Sequence, residues 1–371
     1  MDFDQLVYTG DSSIQDFIDF LINKSPKRIF LVKGKNSYEQ CGAKNIFDDI
    51  FAKLGCQVNE FFDFESNPKY EDLQRGLDVL NSFDADIIVA VGGGSVMDMA
   101  KLLRFYDAYS GDFIKNEFQQ KKALIPLCAL PTTAGTGCEA THFAVMYKDK
   151  VKYSVAHVKM LPELAVIYPS FTYKNSPYLT ACTGFDALAQ AIEAYWNKNA
   201  TLSSDEYALK SIKILWDHLP KTVNNPEKND RDLVSIASYW AGRAINITKT
   251  TAPHAVSYPF TSYYGYPHGH AVALSFPFFA QLNFQKEINN SFWNNSRKRI
   301  LLNQIGVSDE KLLRDSLIDF LRCINLSLKP QFEINREIIT NNINTDRLKN
   351  NPLPVSKNDI ESFLDYLEQL K

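Results

Sequence analysis

The amino-acid sequence predicts an α/β half built on a mainly parallel sheet, followed by an all-helical half. Up to Pro177, short β-branched runs alternate with amphipathic segments, which is the pattern of strand–helix units. Two of those runs lead straight into loops of small residues, at Gly92 to Ser95 and at Thr132 to Gly137. From Tyr178 onward only helical periodicities remain, which divides the chain into 1–177 and 178–371.

Arg28 to Val32 (RIFLV) reads as a strand, Tyr38 to Leu54 as a helix and Gln57 to Phe64 as a second strand. Tyr70 to Phe83 carries Leu73, Leu77 and Leu80 at spacings of four and three, an apolar stripe on a helix. Asp86 to Val91 (DIIVAV) is apolar enough for a strand buried on both faces. A helix begins at Ser95, and another strand ends at Leu130. The segment AVMYKDKVKYSV predicts a hairpin turning around Lys148 to Lys150, and LAVIYP from Leu164 a last strand. In the second half, Ser203 with Glu206 and Ser356 with Asp359 have the spacing at which an N-cap and the third helical residue bond each other's backbone. The last helix puts Ile360, Phe363, Leu364 and Leu367 on one face, whereas Asn341 to Pro354 is polar and expected to be irregular.

A chain of 371 residues, 45% hydrophobic and 22% charged, is expected to fold as two domains with a large core. The 40 Lys and Arg against 43 Asp and Glu leave a net charge of −3, with no field to gather a phosphate backbone, so nucleic acid is not an expected partner. Cys41, Cys56, Cys128, Cys138, Cys182 and Cys323 form no C-x-x-C pair, which argues against a zinc knuckle and for reduced thiols. The start MDFDQLVYTG is acidic with no apolar segment behind it, and no apolar run approaches the ~20 residues needed to cross a bilayer. A cytoplasmic protein without membrane attachment is expected.

Four segments carry candidate chemistry. Gly92, Gly93, Gly94 and Ser95, with Asp98 a turn later, join a buried strand to a helix. Glycines let a ligand reach the backbone, and the free N–H groups of a helix start suit a diphosphate, although the same turn also serves as a plain tight connection. Thr132, Thr133 and Thr136 follow the next buried strand with donors and little bulk; two such loops favour a nucleotide crevice at the carboxyl ends of the sheet. Asp186, Gln190 and Glu193 share one face of a helix, where an Asp is either a ligand or a core hydrogen-bonding group. Finally, His254, His268 and His270 fall within seventeen positions, and imidazole is a common ligand of catalytic transition metals.

Together these segments resemble the iron-containing (group III) alcohol dehydrogenase family over nearly the whole chain, including NNPLPVSKNDI near the carboxyl end. The resemblance implies a dehydroquinate synthase-like architecture, a dinucleotide-binding domain followed by a helical one, and reduction of an aldehyde to an alcohol. It also implies a metal held by Asp186, His254 and His268. Gln190 stands where the family has a fourth ligand, a histidine, and Tyr258 where it has a histidine near the nicotinamide. Gln leaves the charge unchanged but offers a harder, weaker amide oxygen to Fe²⁺ or Zn²⁺. By the same resemblance Gly93, Gly94 and Ser95 meet the diphosphate, Thr132 and Thr133 the nucleotide and Lys152 the nicotinamide ribose, and the protein is a homo-oligomer.

Within the family, DALAQAIEAYW, AGRAINITKTTAPHAVSYP and TSYYGYPHGHAVAL look closest to the phosphonoacetaldehyde reductases, which make 2-hydroxyethylphosphonate. Arg243 and Lys249 are then candidate contacts to the phosphonate, or else solvated helix charges. Tyr258 and His270 are candidate proton donors to the developing alkoxide, with His270 preferred for its pKa near neutrality. After the first strand the chain reads Lys33-Gly34-Lys35, with no carboxylate to repel a 2′-phosphate, which predicts NADPH over NADH. The competing expectations are a general aldehyde or polyol dehydrogenase of this family, a cyclase resembling 3-dehydroquinate synthase, and a nucleotide-binding member without turnover.

Overall fold

The computed structural model describes residues 5–115, 117–149, 151–285 and 292–370. The chain divides into two compact units, Met1–Asn175 and Ser176–Lys371. Unit one runs β1 (Leu6–Thr9), α1 (Ser13–Lys24), β2 (Arg28–Lys33), α2 (Ser37–Gln40), α3 (Ala43–Leu54), β3 (Gln57–Phe61), α4 (Tyr70–Phe83), β4 (Ile87–Gly92) and α5 (Gly94–Ala108). It continues with β5 (Tyr109–Asp112), β6 (Glu117–Gln120), β7 (Leu127–Pro131), β8 (Phe143–Lys148), β9 (Val151–Ala156) and β10 (Leu164–Ile167).

Six strands form one parallel sheet in the order β1-β10-β7-β4-β2-β3. Its central strands are buried on both faces because successive side chains point opposite ways. Ile29, Leu31, Ile87, Val89 and Val91 pack under α1 and α3. Phe30, Val32, Ile88 and Ala90 pack under α4 and α5. β4 lies in the middle of the sheet, where the strand order reverses, and the loops at its carboxyl end and at those of its neighbours gather there. Gly34 N donates to Val91 O at 3.1 Å, and Thr132 N donates to Gly92 O at 2.9 Å.

The expected helix over 38–54 is two helices, broken at Gly42, whose φ of +89° lies in the left-handed region. The second strand stops at Phe61, the last residue paired with β2, rather than at Phe64. The hairpin is β8–β9, with Asp149 at φ +51° in its turn, and Lys150 lies outside the described residues. A second antiparallel hairpin, β5–β6, was not expected from the sequence. All six cysteines are free.

Unit two contains α6 (Pro177–Trp196), α7 (Leu202–Asn224), α8 (Lys228–Thr248), α9 (Ala252–Tyr264), α10 (His268–Gln285) and α11 (Asn295–Gln304). It ends with α12 (Leu313–Cys323), α13 (Arg336–Asn341), α14 (Thr345–Leu348) and α15 (Lys357–Gln369). No strand occurs here among the described residues, and no helix is long and apolar enough to cross a membrane. α6 is the central helix, apolar nearly all round and packed on α7, α8 and α10. A Cβ on Gly184 would come within 2.3 Å of Leu219 on α7, so the glycine sets that close crossing. The expected face of α15 packs on α9 and α10.

The cap of α7 differs from the expected one: Thr201 and Ser204 form the reciprocal pair, and Ser203 is exposed. The Ser356–Asp359 pair caps α15 as its spacing predicts. Thr201→Ala should therefore destabilise the helical unit by about 1 kcal/mol in urea unfolding of the full chain, while Ser203→Ala leaves it unchanged.

Candidate active site

α6 presents Asp186, Gln190 and Glu193 along one stripe, and all three side chains are buried. α9 and the first turn of α10 bring His254 and His268 to the same stripe. Asp186 Oδ1 is 3.1 Å from His254 Nε2 and 3.9 Å from His268 Nε2. One ligand atom from each of these residues lies within 4.8 Å of the others. Gln190 Nε2 donates to Asp186 Oδ2 at 3.1 Å, which leaves Gln190 Oε1 buried with no hydrogen-bond partner. On its other side, His254 Nδ1 donates to Glu193 Oε1. Burial opposes a charge on His254, but the Glu193 and Asp186 carboxylates outweigh it and raise the imidazole to about 10.

Gly269 makes this approach possible. A Cβ there would sit 1.8 Å from Cys182 O on α6, so only glycine lets the start of α10 press His268 toward Asp186. Tyr258 stacks on the His268 ring, with centroids 6.0 Å apart and planes 30° apart.

In unit one, the loops at the sheet's carboxyl ends fit a nucleotide. Gly93 caps α5, and a Cβ on Gly94 would come within 2.8 Å of the Thr136 side chain, so that side chain packs on the bare backbone of Gly94. Thr132 Oγ1 is buried without a hydrogen-bond partner, a hydroxyl left for a ligand. Ser95 Oγ instead accepts from Asn67 N at 3.0 Å. Asp98 is buried beside Lys101, 3.7 Å away; burial raises its pKa, and Lys101 and then Lys152, from β9, are among the groups that oppose the rise.

Residues 5–169 match the family described as iron-containing alcohol dehydrogenase, and residues 180–365 match its C-terminal domain. The chain belongs to the iron-containing alcohol dehydrogenase family. It is 30% identical to alcohol dehydrogenase 4 of Saccharomyces cerevisiae over 75% of this chain and 74% of the relative. It is 28% identical to NADPH-dependent butanol dehydrogenase of Clostridium saccharobutylicum, over 87% and 82%. Among solved structures, sulfoacetaldehyde reductase from Bifidobacterium kashiwanohense in complex with NAD⁺ superposes with a TM-score of 0.85 at 26% identity, covering 98% of this chain and 97% of that one. The family is one of NAD(P)-dependent oxidoreductases acting on alcohols and aldehydes, and this iron-containing alcohol dehydrogenase is an enzyme of that class.

The donor set of the dehydrogenase fits a divalent cation: one carboxylate and two imidazoles, Asp186 and His254 buried and His268 partly exposed, converge, and the neighbouring Gln190 carries a buried, unpartnered amide oxygen. Other expected residues sit elsewhere. His270 Nε2 donates to Ser327 O at 2.7 Å, so the ring's Nδ1 accepts from Tyr178 Oη at 2.9 Å. Burial lowers its pKa. With both nitrogens engaged in the neutral form, His270 has no free N–H.

Arg243 lies 5.1 Å over the Tyr207 ring and donates to Tyr239 Oη at 3.1 Å, bracing α7 against α8. Lys249 O accepts from Asn197 at the carboxyl end of α6 at 3.2 Å, eleven residues and roughly 16 Å along the helix from Asp186. Its ammonium neighbours Arg347 and Asp346, and partial burial followed by the Arg347 charge lowers its pKa. Arg243 and the Lys249 ammonium thus each have protein groups beside them.

One further correction concerns the nucleotide. Lys33 does meet a carboxylate, because Glu60 on the neighbouring strand β3 lies 2.6 Å from its Nζ. Lys33 also stands 4.8 Å over the Tyr38 ring, while Lys35 is exposed. Sequence reasoning noted Glu193 only as a neighbour of Gln190; its spacing of seven from Asp186, two turns on one face, was the available signal.

Gly269→Ala should overpack the α6–α10 contact, costing about 1–3 kcal/mol of stability and lowering the bound-metal stoichiometry measured by elemental analysis.

Proposed function

We propose that the chain reduces a small aldehyde to its alcohol by hydride transfer from NADPH, with Asp186, Gln190, His254 and His268 holding Fe²⁺ or Zn²⁺. The observation that carries this reading is the convergence of Asp186, His254 and His268, with Gln190, whose amide oxygen is buried and unpartnered, bonded to the same carboxylate. When bound, the cation supplies Lewis acidity toward a carbonyl oxygen, and the reduced nicotinamide supplies the hydride. The chain's own residues do the placing. Asp186 and His254 fix the position of the positive charge, and Tyr258 delivers the proton from its Oη. In unit one the amides of Gly93, Gly94 and Ser95 receive the diphosphate at the start of α5. Gly92 and Thr136 shape that turn, Thr132 and Thr133 offer hydroxyls to the nucleotide, and Lys152 with Asp98 binds on the nicotinamide ribose side. Gly34 and Lys35 meet the adenosine end, where Lys35 supplies the charge for a 2′-phosphate.

For the substrate, phosphonoacetaldehyde follows from the resemblance of the α8–α10 segments, and it is supported by likeness to a reductase of another two-carbon aldehyde bearing an anion. An uncharged aldehyde is the second reading, favoured by the engagement of Arg243 with Tyr207 and Tyr239.

The deciding measurement is NADPH oxidation with phosphonoacetaldehyde against propanal, using enzyme stripped of metal and resupplied with Fe²⁺ or Zn²⁺. Metal-dependent turnover selective for the phosphonate supports the first substrate, and turnover of propanal alone supports the second. Failure with any aldehyde, metal present, overturns the reductase reading. Asp186→Asn should lower kcat/KM by about a hundredfold or more, a loss of several kcal/mol of charge stabilisation. Glu60→Gln releases Lys33, so the ratio of NADH to NADPH dissociation constants, read by nucleotide fluorescence, should rise about fivefold, the size of one screened charge contact.

A further inference from the structure

Glu193 lies about two turns along α6 from Asp186 and offers neither oxygen to the cluster of ligand atoms. Its Oε1 accepts from His254 Nδ1, while Oε2 accepts from Thr251 N at 2.5 Å and Thr251 Oγ1 at 2.8 Å. Thr251 Oγ1 in turn accepts from Trp196 Nε1 at 2.9 Å. Trp196, Thr251 and Glu193 are wholly buried, and His254 is 3% exposed.

We infer that Glu193 is a positioning residue that holds His254 with Nδ1 protonated and Nε2 as the ligand atom, and thereby sets the cluster's affinity for its cation. The inference rests on the metal reading of the site. An ionised carboxylate only accepts, so the nitrogen facing Glu193 must carry the hydrogen. The opposite nitrogen donates to Asp186 Oδ1 at 3.1 Å, and it is this proton, not the one facing Glu193, that a cation would displace to take the lone pair. A carboxylate behind a ligating imidazole also raises its basicity. The two donors of Thr251 hold the second oxygen, and the indole of Trp196 fixes the Thr251 hydroxyl rotor. The four side chains form one directed line, Trp196 to Thr251 to Glu193 to His254, ending at the ligand nitrogen.

The test measures Zn²⁺ dissociation constants by chelator competition, and the visible absorption of the Co²⁺-substituted full chain, in the wild type, Glu193→Gln and Thr251→Val. Wild-type helical circular dichroism and cooperative urea unfolding in each variant report that the chain has folded. Glu193→Gln is expected to weaken Zn²⁺ binding about 10- to 100-fold and to alter the Co²⁺ bands. Thr251→Val should weaken it less. Wild-type affinity and an unchanged Co²⁺ spectrum in Glu193→Gln would overturn the inference. If that variant fails to fold, the same two readings on Thr251→Val decide. A wild-type chain that binds neither Zn²⁺ nor Co²⁺ overturns the metal reading itself, which separates that failure from failure of Glu193 alone.

Discussion

Asp186 and Glu193 are 2% and 0% exposed on one helix, and removing a carboxylate from water costs several kcal/mol even after the surroundings relax. Two such groups on one face are tolerable only if each is hydrogen-bonded and a positive charge lies between them. His254 meets both conditions, bonded to Glu193 through one nitrogen and to Asp186 through the other. The helical unit is built around this need. Thr251 turns its backbone N–H and its hydroxyl toward Glu193 at the start of α9, and Gln190 turns its amide toward the second oxygen of Asp186. In the proposed enzyme the divalent cation takes over the positive charge, so the same burial that is costly without a partner becomes the source of strong electrostatics at the reacting carbonyl.

Close backbone approach is the second constraint, and it recurs in both units. Gly269 lets α10 rest on the Cys182 carbonyl, Gly184 lets α7 cross α6, and Gly94 lets the two threonine- and glycine-bearing loops meet. In each place a Cβ would meet another atom at less than 3.0 Å. The residues that bear the chemistry are held by elements whose contact depends on having no side chain at these positions.

Much of this was legible in the sequence. Strands buried on both faces are continuous apolar runs, so β2, β4 and β10 stood out, and the family resemblance implied one cluster of Asp186, His254 and His268. What stayed hidden depended on partners far away in the chain. Glu60 meets Lys33 across two strands, so the charge balance at the adenosine end could not be read from Lys33-Gly34-Lys35 alone. Arg243 and Lys249 precede His254 closely, but sequence distance does not say which side of a helix they leave on. The β5–β6 hairpin, YSGD against EFQQ, lacks apolar alternation and gave no strand signal. Ser203 with Glu206 offered the capping spacing in the sequence, whereas the cap is Thr201 and the helix begins two residues earlier.

The exchange of an imidazole for Gln190 has a physical direction. An amide oxygen donates less charge than an imidazole nitrogen, so a cation at this site is held more weakly but keeps more of its Lewis acidity for the carbonyl. An amide also has a second arm, and Gln190 uses it to donate to Asp186 Oδ2 while Oε1 stays unpartnered. That bond orients the carboxylate so that Oδ1 faces both histidines, a task a metal-bound imidazole at the same position would leave undone. In the proposed metal site, the weaker fourth ligand would leave more of the binding to the other three, and the hydrogen-bonded line behind His254 would act on one of these.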